Sequence, residues 1–325
     1  EILPGLLEGR TRVYYHFGRD TEFDLQLIGW LNRVRAQVRL GAQPPHEFLE
    51  LGHLLDEMRL FKTADELKLM RRAAKISVEA HAAAMRAARP GIHEYALQAE
   101  LEYVFRRNQA QPAYESIVGT GANACVLHYR ANRARIGADD LVLIDAGAEY
   151  RGYAADITRT FPVNGLFSAA QRALHDVVES AQQAALAQAR PGVAYEAGHI
   201  AAVEALTEGL LRLGLLKGKL EARIADGSYK RYYRHKTGHW IGLDVHDVGD
   251  YRIEGESRLL EPGMVFTIEP GLYVAADDTS VDAKWRGIGI RTEDDVLITK
   301  TGHEVLTAGL ARTADEIEAF MAEPR

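Results

Sequence analysis

Apolar positions after residue 60 predict a pair of helices that recurs later in the chain. The first helix begins at the capping box Thr63 to Glu66 and ends at Ala88-Arg-Pro-Gly91, and a second helix is predicted from about His93 to Arg107. The same signals return in the second half. The capping box Ser168 to Gln171 precedes a helix that ends at Ala189-Arg-Pro-Gly192, and another helix is predicted from about Tyr195 to Leu213. Because the tetrapeptide and its neighbours repeat, the sequence predicts an internal duplication.

A matched set of strands follows each helix pair. The apolar run Leu141 to Ile144 leads to Asp145, and the run Met264 to Ile268 leads to Glu269. Further along, Asp156 and Glu293 each lie four residues after a glycine, within segments that we interpret as strands. We therefore predict an α+β fold in which two helix-pair-plus-antiparallel-sheet units face each other about a pseudo-two-fold axis. This arrangement would bring together the carboxylates of Asp145, Asp156, Glu269 and Glu293.

The first 60 residues have a different pattern. A short aromatic strand is predicted from Val13 to Phe17 and a helix from about Glu22 to Leu40, followed by a breaker cluster from Gly41 to Pro45. These few elements cannot form a good core alone, so we interpret residues 1–60 as the remnant of an N-terminal domain. The chain opens at Glu1 without an initiator methionine, and we expect that it begins part-way through a longer protein.

Composition narrows the class of protein. With 325 residues, 47% of them hydrophobic and 26% charged, the chain has the composition of a soluble globular protein of about two domains. The net charge of −7 argues against a nucleic acid or an anionic membrane surface as the main partner. The single cysteine, Cys125, excludes an intrachain disulfide, and we expect a cytoplasmic protein. We also expect a homo-oligomer, either a dimer or a tetramer.

Four converging carboxylates need compensating positive charge. Buried charge is expensive unless it is paired, and the only local cationic side chains are Arg159 and Arg291. Divalent metal ions are the simpler answer. Each acid taken alone is more often a solvated carboxylate at a strand end, but the matched pairs favour a metal site.

Histidines supply the remaining candidate chemistry. His235, His239 and His246 lie close together upstream of Glu269, and His128 lies in the apolar segment Val126 to Tyr129, which we interpret as a strand. A lone histidine in such places is more often structural, whereas three together favour a site. Four carboxylates with one imidazole form a hard ligand set that suits Mn²⁺, with Co²⁺, Zn²⁺ or Fe²⁺ as alternatives. Four acids are too many for one catalytic zinc ion and suit two bridged metal ions.

The motifs around these residues resemble the Xaa-Pro aminopeptidase (aminopeptidase P) family, which belongs with prolidases and methionine aminopeptidases in the pita-bread metallopeptidases. Residues 61–325 resemble the pita-bread catalytic domain of that family. Residues 1–60 resemble the C-terminal remnant of its N-terminal α/β, creatinase-like domain, which is much longer in the family. The motifs that carry the resemblance are Asp145-Ala-Gly147, Asp156 to Pro162, His235 to Gly249, Leu260 to Val265, Glu269 to Tyr273 and Gly287 to Asp294.

The resemblance implies a role for each candidate residue. Glu269 would handle the proton of a metal-bridging water, and His128 and His246 would hydrogen-bond the substrate or the tetrahedral intermediate. His235 would contact the proline ring, while Tyr273 and Arg291 would orient a metal-binding carboxylate. The implied ligands of two divalent ions are Asp145, Asp156, His239, Glu269 and Glu293.

The implied activity is hydrolysis of the N-terminal Xaa-Pro bond of peptides by a metal-bridging hydroxide. A prolidase, which cleaves only Xaa-Pro dipeptides, shares every ligand and is the nearest alternative. A methionine aminopeptidase lacks an N-terminal domain of this kind. A non-catalytic pita-bread binding protein and a metal-independent creatine hydrolase are disfavoured by the complete ligand set.

Overall fold

The computed structural model describes residues 2–323. The chain divides into two compact units, Glu1–Arg59 and Leu60–Arg325. The sequence-based division after residue 60 lies beside this boundary. Its interpretation of the first unit as the remnant of a creatinase-like domain stays a prediction.

The first unit pairs two short parallel strands with helices. Its core consists of Leu7, Leu27, Leu31, Val34 and Ala42. Strand β1 (Arg12–Tyr15) pairs in parallel with β2 (Glu47–Glu50). The side chain of Asp20 caps α2 (Thr21–Ala36) by accepting hydrogen bonds from two N–H groups of its first turn. The helix that the sequence predicts to about Leu40 ends earlier, at Ala36, and a 3₁₀ turn at Val38–Leu40 follows it. The elements are α1 (Leu3–Leu7), β1 (Arg12–Tyr15), α2 (Thr21–Ala36), β2 (Glu47–Glu50) and α3 (Leu51–Leu60).

Two helix pairs dominate the second unit, as predicted. Both capping boxes form: the Thr63 N–H donates to Glu66 Oε2 at 2.7 Å, and the Ser168 N–H donates to Gln171 Oε1 at 2.8 Å. The first helix of each pair packs against the second. The helices are α4 (Ala64–Ala87), α5 (Glu94–Arg107), α6 (Ala169–Leu186), α7 (Glu196–Arg212), α8 (Leu220–Ala225) and α9 (Ala314–Met321).

Antiparallel strands follow each helix pair and carry the candidate acids. The strands are β3 (Gln111–Pro112), β4 (Ile117–Thr120), β5 (Leu141–Asp145), β6 (Ala148–Tyr150), β7 (Tyr153–Ala154), β8 (Thr158–Pro162), β9 (Arg252–Ile253), β10 (Glu256–Ser257), β11 (Val265–Ile268), β12 (Gly271–Val274), β13 (Ile288–Arg291), β14 (Asp294–Ile298) and β15 (His303–Val305). The sheet orders are β4-β5-β8 and β3-β6-β7 in the first half, and β11-β14-β15, β12-β13 and β9-β10 in the second. An isolated antiparallel bridge between Thr158 and Glu293 joins the two halves. The α+β class is confirmed.

Two local predictions were wrong. Asp156 and Glu293 do not lie inside strands but in breaks, the first between β7 and β8 and the second between β13 and β14. In each break, a backbone N–H forms a hydrogen bond with a group outside its own sheet. The Asp156 N–H donates to the carboxylate of Asp295, and the Glu293 N–H donates to the Thr158 carbonyl. The segment Val126 to Tyr129 is also not a strand. It follows a 3₁₀ turn at Gly121–Cys125, and Val126 is 54% exposed.

The core of the second unit lies between the helix pairs and the strands. Its fully buried members come from both halves and include Ile76, Leu97, Leu101, Val142, Ile144, Leu174, Val177, Leu206 and Ile290. Among residues 2–323, no helix combines the length and apolar character that crossing a membrane requires.

Candidate metal centre

The four predicted acids converge on one cavity of about 840 Å³. Asp145 ends β5, Glu269 directly follows β11, and Asp156 and Glu293 occupy the two strand breaks. His239 lies among them, with its Nε2 atom 3.4 Å from Asp156 Oδ2 and 3.9 Å from Glu269 Oε1. One potential ligand atom from each of Asp156, His239 and Glu293 lies within 4.8 Å of the others. The structure therefore brings together all five side chains that were predicted as ligands.

Two glycines permit this convergence by allowing close backbone approach. A Cβ atom on Gly147 would lie 1.6 Å from the Ala155 carbonyl oxygen, so only glycine lets the segment after Asp145 pass this close to the one that carries Asp156. A Cβ atom on Gly238 would lie 1.9 Å from the Thr267 carbonyl oxygen. This second contact keeps His239 beside β11 and Glu269.

The orientation of His239 suits a metal ligand. Its Nδ1–H group donates to the Trp240 carbonyl at 3.0 Å, so Nε2 is the ring atom that faces the carboxylates. Burial lowers the pKa of His239, but the hydrogen bond and charge of Asp156 outweigh this effect and raise it to about 9.

The carboxylates themselves show why the site needs cations. Burial raises the pKa of Glu269 to about 8, and the negative charges of Asp156 and Asp145 add to this effect against the opposing influence of His239 and Arg291. Burial and the same neighbouring acids raise the pKa of Glu293 well above its ordinary range. An oxygen-rich set with one imidazole, in which neighbouring acids raise the pKa of Glu269 and Glu293, fits hard divalent ions.

Arg291 and Tyr273 form a connected chain behind the acids. Arg291 donates from Nη2 to Asp145 Oδ2 at 2.5 Å and from Nη1 to the Tyr273 hydroxyl at 2.9 Å. Tyr273 in turn donates to His235 Nε2 at 2.9 Å, because His235 Nδ1–H donates to the Lys236 carbonyl at 2.8 Å. Arg159, the other predicted local cation, instead pairs with Asp294 at 2.8 Å. Of the two arginines, Arg291 is therefore the one that compensates an acid of the site.

The remaining histidines line the same cavity. The His235 Nδ1 atom lies 3.5 Å from Glu269 Oε2, and burial lowers the pKa of His235 to about 3. The His246 ring lies 4.2 Å from the His239 ring, centroid to centroid, and His128 lies at the wall of the cavity. All three are therefore placed to meet a molecule that enters the cavity.

Three contributors to the site were not predicted from the sequence. The half-buried Tyr114 places its hydroxyl 2.6 Å from Asp145 Oδ1 and 2.5 Å from Asp156 Oδ1, so this one group connects the two carboxylates. Thr158 Oγ1 donates to Glu293 Oε2 at 2.7 Å, and Asp295 accepts the Asp156 N–H at 3.2 Å. No local pattern marks Tyr114, whereas Thr158 and Asp295 each lie two residues after a predicted ligand.

Comparison with known proteins agrees with this geometry. Residues 68–300 match the model of Metallopeptidase family M24. The chain is 44% identical over 321 residues to Xaa-Pro aminopeptidase of Escherichia coli strain K12, which covers 98% of this chain and 72% of that protein. It is similar to the structure of aminopeptidase PepP of Pseudomonas aeruginosa, with 55% identity, a TM-score of 0.96 and coverage of 99% of this chain and 73% of the other. A zinc-substituted Escherichia coli aminopeptidase P in complex with product gives 44% identity, a TM-score of 0.94 and coverage of 99% and 74%.

Proposed function

Because the chain belongs to metallopeptidase family M24, we propose that it is a metal-dependent aminopeptidase that removes the first residue of peptides with proline in second position. The convergence of Asp145, Asp156, His239, Glu269 and Glu293 on one cavity is the observation that carries this proposal. The similarity to Xaa-Pro aminopeptidases over nearly the whole chain supports the choice of substrate.

The five converging side chains would hold two divalent ions. When bound, such ions supply a water of lowered pKa as nucleophile and polarise the scissile carbonyl. The hard donor set favours Mn²⁺, with Co²⁺ or Zn²⁺ as alternatives. Asp145 is oriented for this task by Arg291, and Glu293 by Thr158.

The protein side chains perform the proton transfers and bind the substrate. Glu269 accepts the proton of the attacking water and delivers it to the proline nitrogen as the peptide bond breaks. His128 and His246 hydrogen-bond the reacting carbonyl, where such a contact contributes a few kcal/mol. The acids also hold the free α-amine of the substrate, which restricts cleavage to the N-terminus.

Proline is recognised by shape and by a missing donor. The Xaa-Pro bond is a tertiary amide without an N–H group. The wall of the cavity therefore needs no hydrogen-bond acceptor for the scissile amide. His235 lies beside Glu269 and is held on both ring nitrogens, which gives the proline ring a fixed surface to contact.

The cellular setting and assembly belong to the same proposal. A cytoplasmic location is supported by the single cysteine, Cys125, which needs no oxidising compartment. The expected homo-oligomer, a dimer or a tetramer, stays a prediction that sedimentation velocity tests.

Digestion of matched peptides tests the proposed activity. With Mn²⁺, we expect Arg-Pro-Pro to lose its arginine, whereas Arg-Ala-Pro stays intact and a chelator stops all cleavage. Cleavage of the dipeptide Arg-Pro alone would instead identify a prolidase. No cleavage of either peptide by the metal-replete protein would indicate a binding protein.

A further inference from the structure

Glu94, the first residue of α5, is a fully buried carboxylate remote in sequence from the acids of the metal centre. Its Oε1 atom accepts hydrogen bonds from the Thr120 N–H at 2.8 Å and from Asn123 Nδ2 at 3.0 Å. Its Oε2 atom accepts from the Tyr129 hydroxyl at 2.8 Å and from the Ala134 N–H at 2.8 Å. All four donors are uncharged, and all belong to the segment 120–134.

This segment carries His128 to the wall of the cavity. No named strand lies between the end of β4 and the start of β5. Backbone pairing with the start of α5 is confined to the end of this stretch, where the Glu94 N–H donates to the Ala134 carbonyl at 3.0 Å, so side-chain hydrogen bonds hold the part that carries His128. Leu127 and Tyr129, on either side of His128, pack in a cluster with Leu143 and Tyr273. The path of the chain at His128 is therefore set by its two neighbours, and one of them is tied to Glu94.

A second contact from the same helix face supports this arrangement. One turn after Glu94, Gln98 Oε1 accepts a hydrogen bond from Asn132 Nδ2 at 2.9 Å, and Asn132 Oδ1 accepts from the Val118 N–H at 3.0 Å. Residues four apart on a helix lie on one face. Glu94 and Gln98 thus attach both the start and the end of the segment to α5.

We propose that Glu94 is a positioning residue for His128: its four hydrogen bonds hold the segment 120–134 so that the imidazole meets the reacting carbonyl. This inference rests on the proposed function, which gives His128 its role at that carbonyl.

The Glu94→Gln substitution separates charge and hydrogen bonding from packing volume. In either amide orientation, the new NH₂ group faces a backbone N–H, that of Thr120 or that of Ala134. A backbone N–H cannot accept a hydrogen bond. The variant therefore loses one hydrogen bond and places two donor groups, the glutamine NH₂ and the backbone N–H, against each other. The control is Glu100→Gln, an exposed position on the same helix.

We expect Glu94→Gln to lower kcat on an Xaa-Pro peptide about 10- to 100-fold, which is what a misplaced catalytic group costs. Manganese content should stay at the wild-type level, amide hydrogen exchange over residues 120–134 should accelerate, and Glu100→Gln should behave as wild type. In a His128→Ala background, adding Glu94→Gln should lower kcat by less than about threefold, because the imidazole that Glu94 positions is already absent.

The positioning role would be overturned if Glu94→Gln lowered kcat equally in the wild-type and His128→Ala proteins. Unchanged kcat in a folded Glu94→Gln variant would overturn it as well. If that variant does not fold, Tyr129→Phe removes one donor at constant volume, and its kcat loss should likewise vanish with His128→Ala. A Tyr129→Phe loss that persists there, or no loss at all, overturns the inference. His128→Ala with wild-type kcat would instead refute the role of His128 in the proposed function.

Discussion

Thr158 and Glu293 are joined by two hydrogen bonds across the boundary between the two halves of the second unit. The Glu293 N–H donates to the Thr158 carbonyl at 3.0 Å, and Thr158 Oγ1 donates to Glu293 Oε2 at 2.7 Å. The same hydroxyl oxygen accepts from Arg291 Nε at 3.1 Å. One small side chain thus orients an acid of the metal centre and connects it to the arginine that holds Asp145.

Removing this hydroxyl should weaken metal binding. Thr158→Val keeps the shape of the side chain but leaves Glu293 Oε2 and Arg291 Nε without their shared partner. We expect manganese affinity to fall about 10- to 100-fold, as is usual when a partner of a metal ligand is lost. Titration calorimetry measures this, with the exposed Thr301→Val as control; unchanged affinity in Thr158→Val would contradict the orienting role.

Chelation should remove both activity and stability. Without cations, the buried acids either repel one another or must hold protons, and the folded state loses the free energy of metal binding. We expect exhaustive chelation to abolish cleavage and to lower Tm by about 5 °C or more, and Mn²⁺ to restore both. Thermal scans and peptide assays on samples of measured metal content decide this. Full activity in a metal-free sample would refute the metal-dependent mechanism.

Glu269→Gln tests the proton transfer. Glutamine keeps the shape and can still offer one oxygen to a metal ion, but it cannot take a proton from water and pass it to the proline nitrogen. We expect kcat to fall about 10²- to 10⁴-fold while the fold survives. Steady-state kinetics on an Xaa-Pro-Pro peptide, with metal analysis of the same preparation, provide the measurement. A metal-replete variant within about tenfold of wild type would be incompatible with this role.

His235→Ala tests whether His235 contacts substrate or metal. Its ring is held by Tyr273 and by the Lys236 carbonyl and lies beside Glu269. We expect impaired turnover of Xaa-Pro peptides with metal content near wild type. The exposed His53→Ala serves as control for the loss of an imidazole. Loss of metal from His235→Ala would show that a ligand had been taken for a substrate contact.

The buried side chain of His175, in α6, should make the free energy of unfolding depend on pH. Burial, with the positive charges of Arg159 and Arg172, lowers the pKa of His175 in α6 to about 4. The unfolded chain therefore binds this proton between pH 6.5 and pH 4, whereas the folded chain does not. Its contribution to stability is complete above pH 6.5 and is lost as the pH falls towards 4, by at most about 3 kcal/mol.

The matched variant isolates this contribution. Urea unfolding of wild type and His175→Gln at several pH values should show a flatter dependence for the variant between pH 6.5 and 4. If the free energy of unfolding depended on pH equally in wild type and His175→Gln, the neutral, buried state of His175 would be contradicted.

Local signals in the sequence determined the helix pairs and the placement of the acids. Capping boxes and apolar periods act within one turn, so α4 and α6 begin where predicted. Asp145 and Glu269 were located because each closes a buried strand. Their convergence with Asp156 and Glu293 could be predicted because the duplication sets matching residues against each other.

The tertiary structure alone decided the contacts that orient those residues. Tyr114 meets Asp156 across 42 positions of sequence, Glu94 meets Ala134 across 40, and Thr158 meets Glu293 across 135. Such pairs carry no periodic signal, because their spacing depends on how sheets and loops pack. The same reason explains the two errors: Asp156 and Glu293 leave their strands, and the segment around His128 is irregular, because each finds its hydrogen bonds in a distant part of the chain.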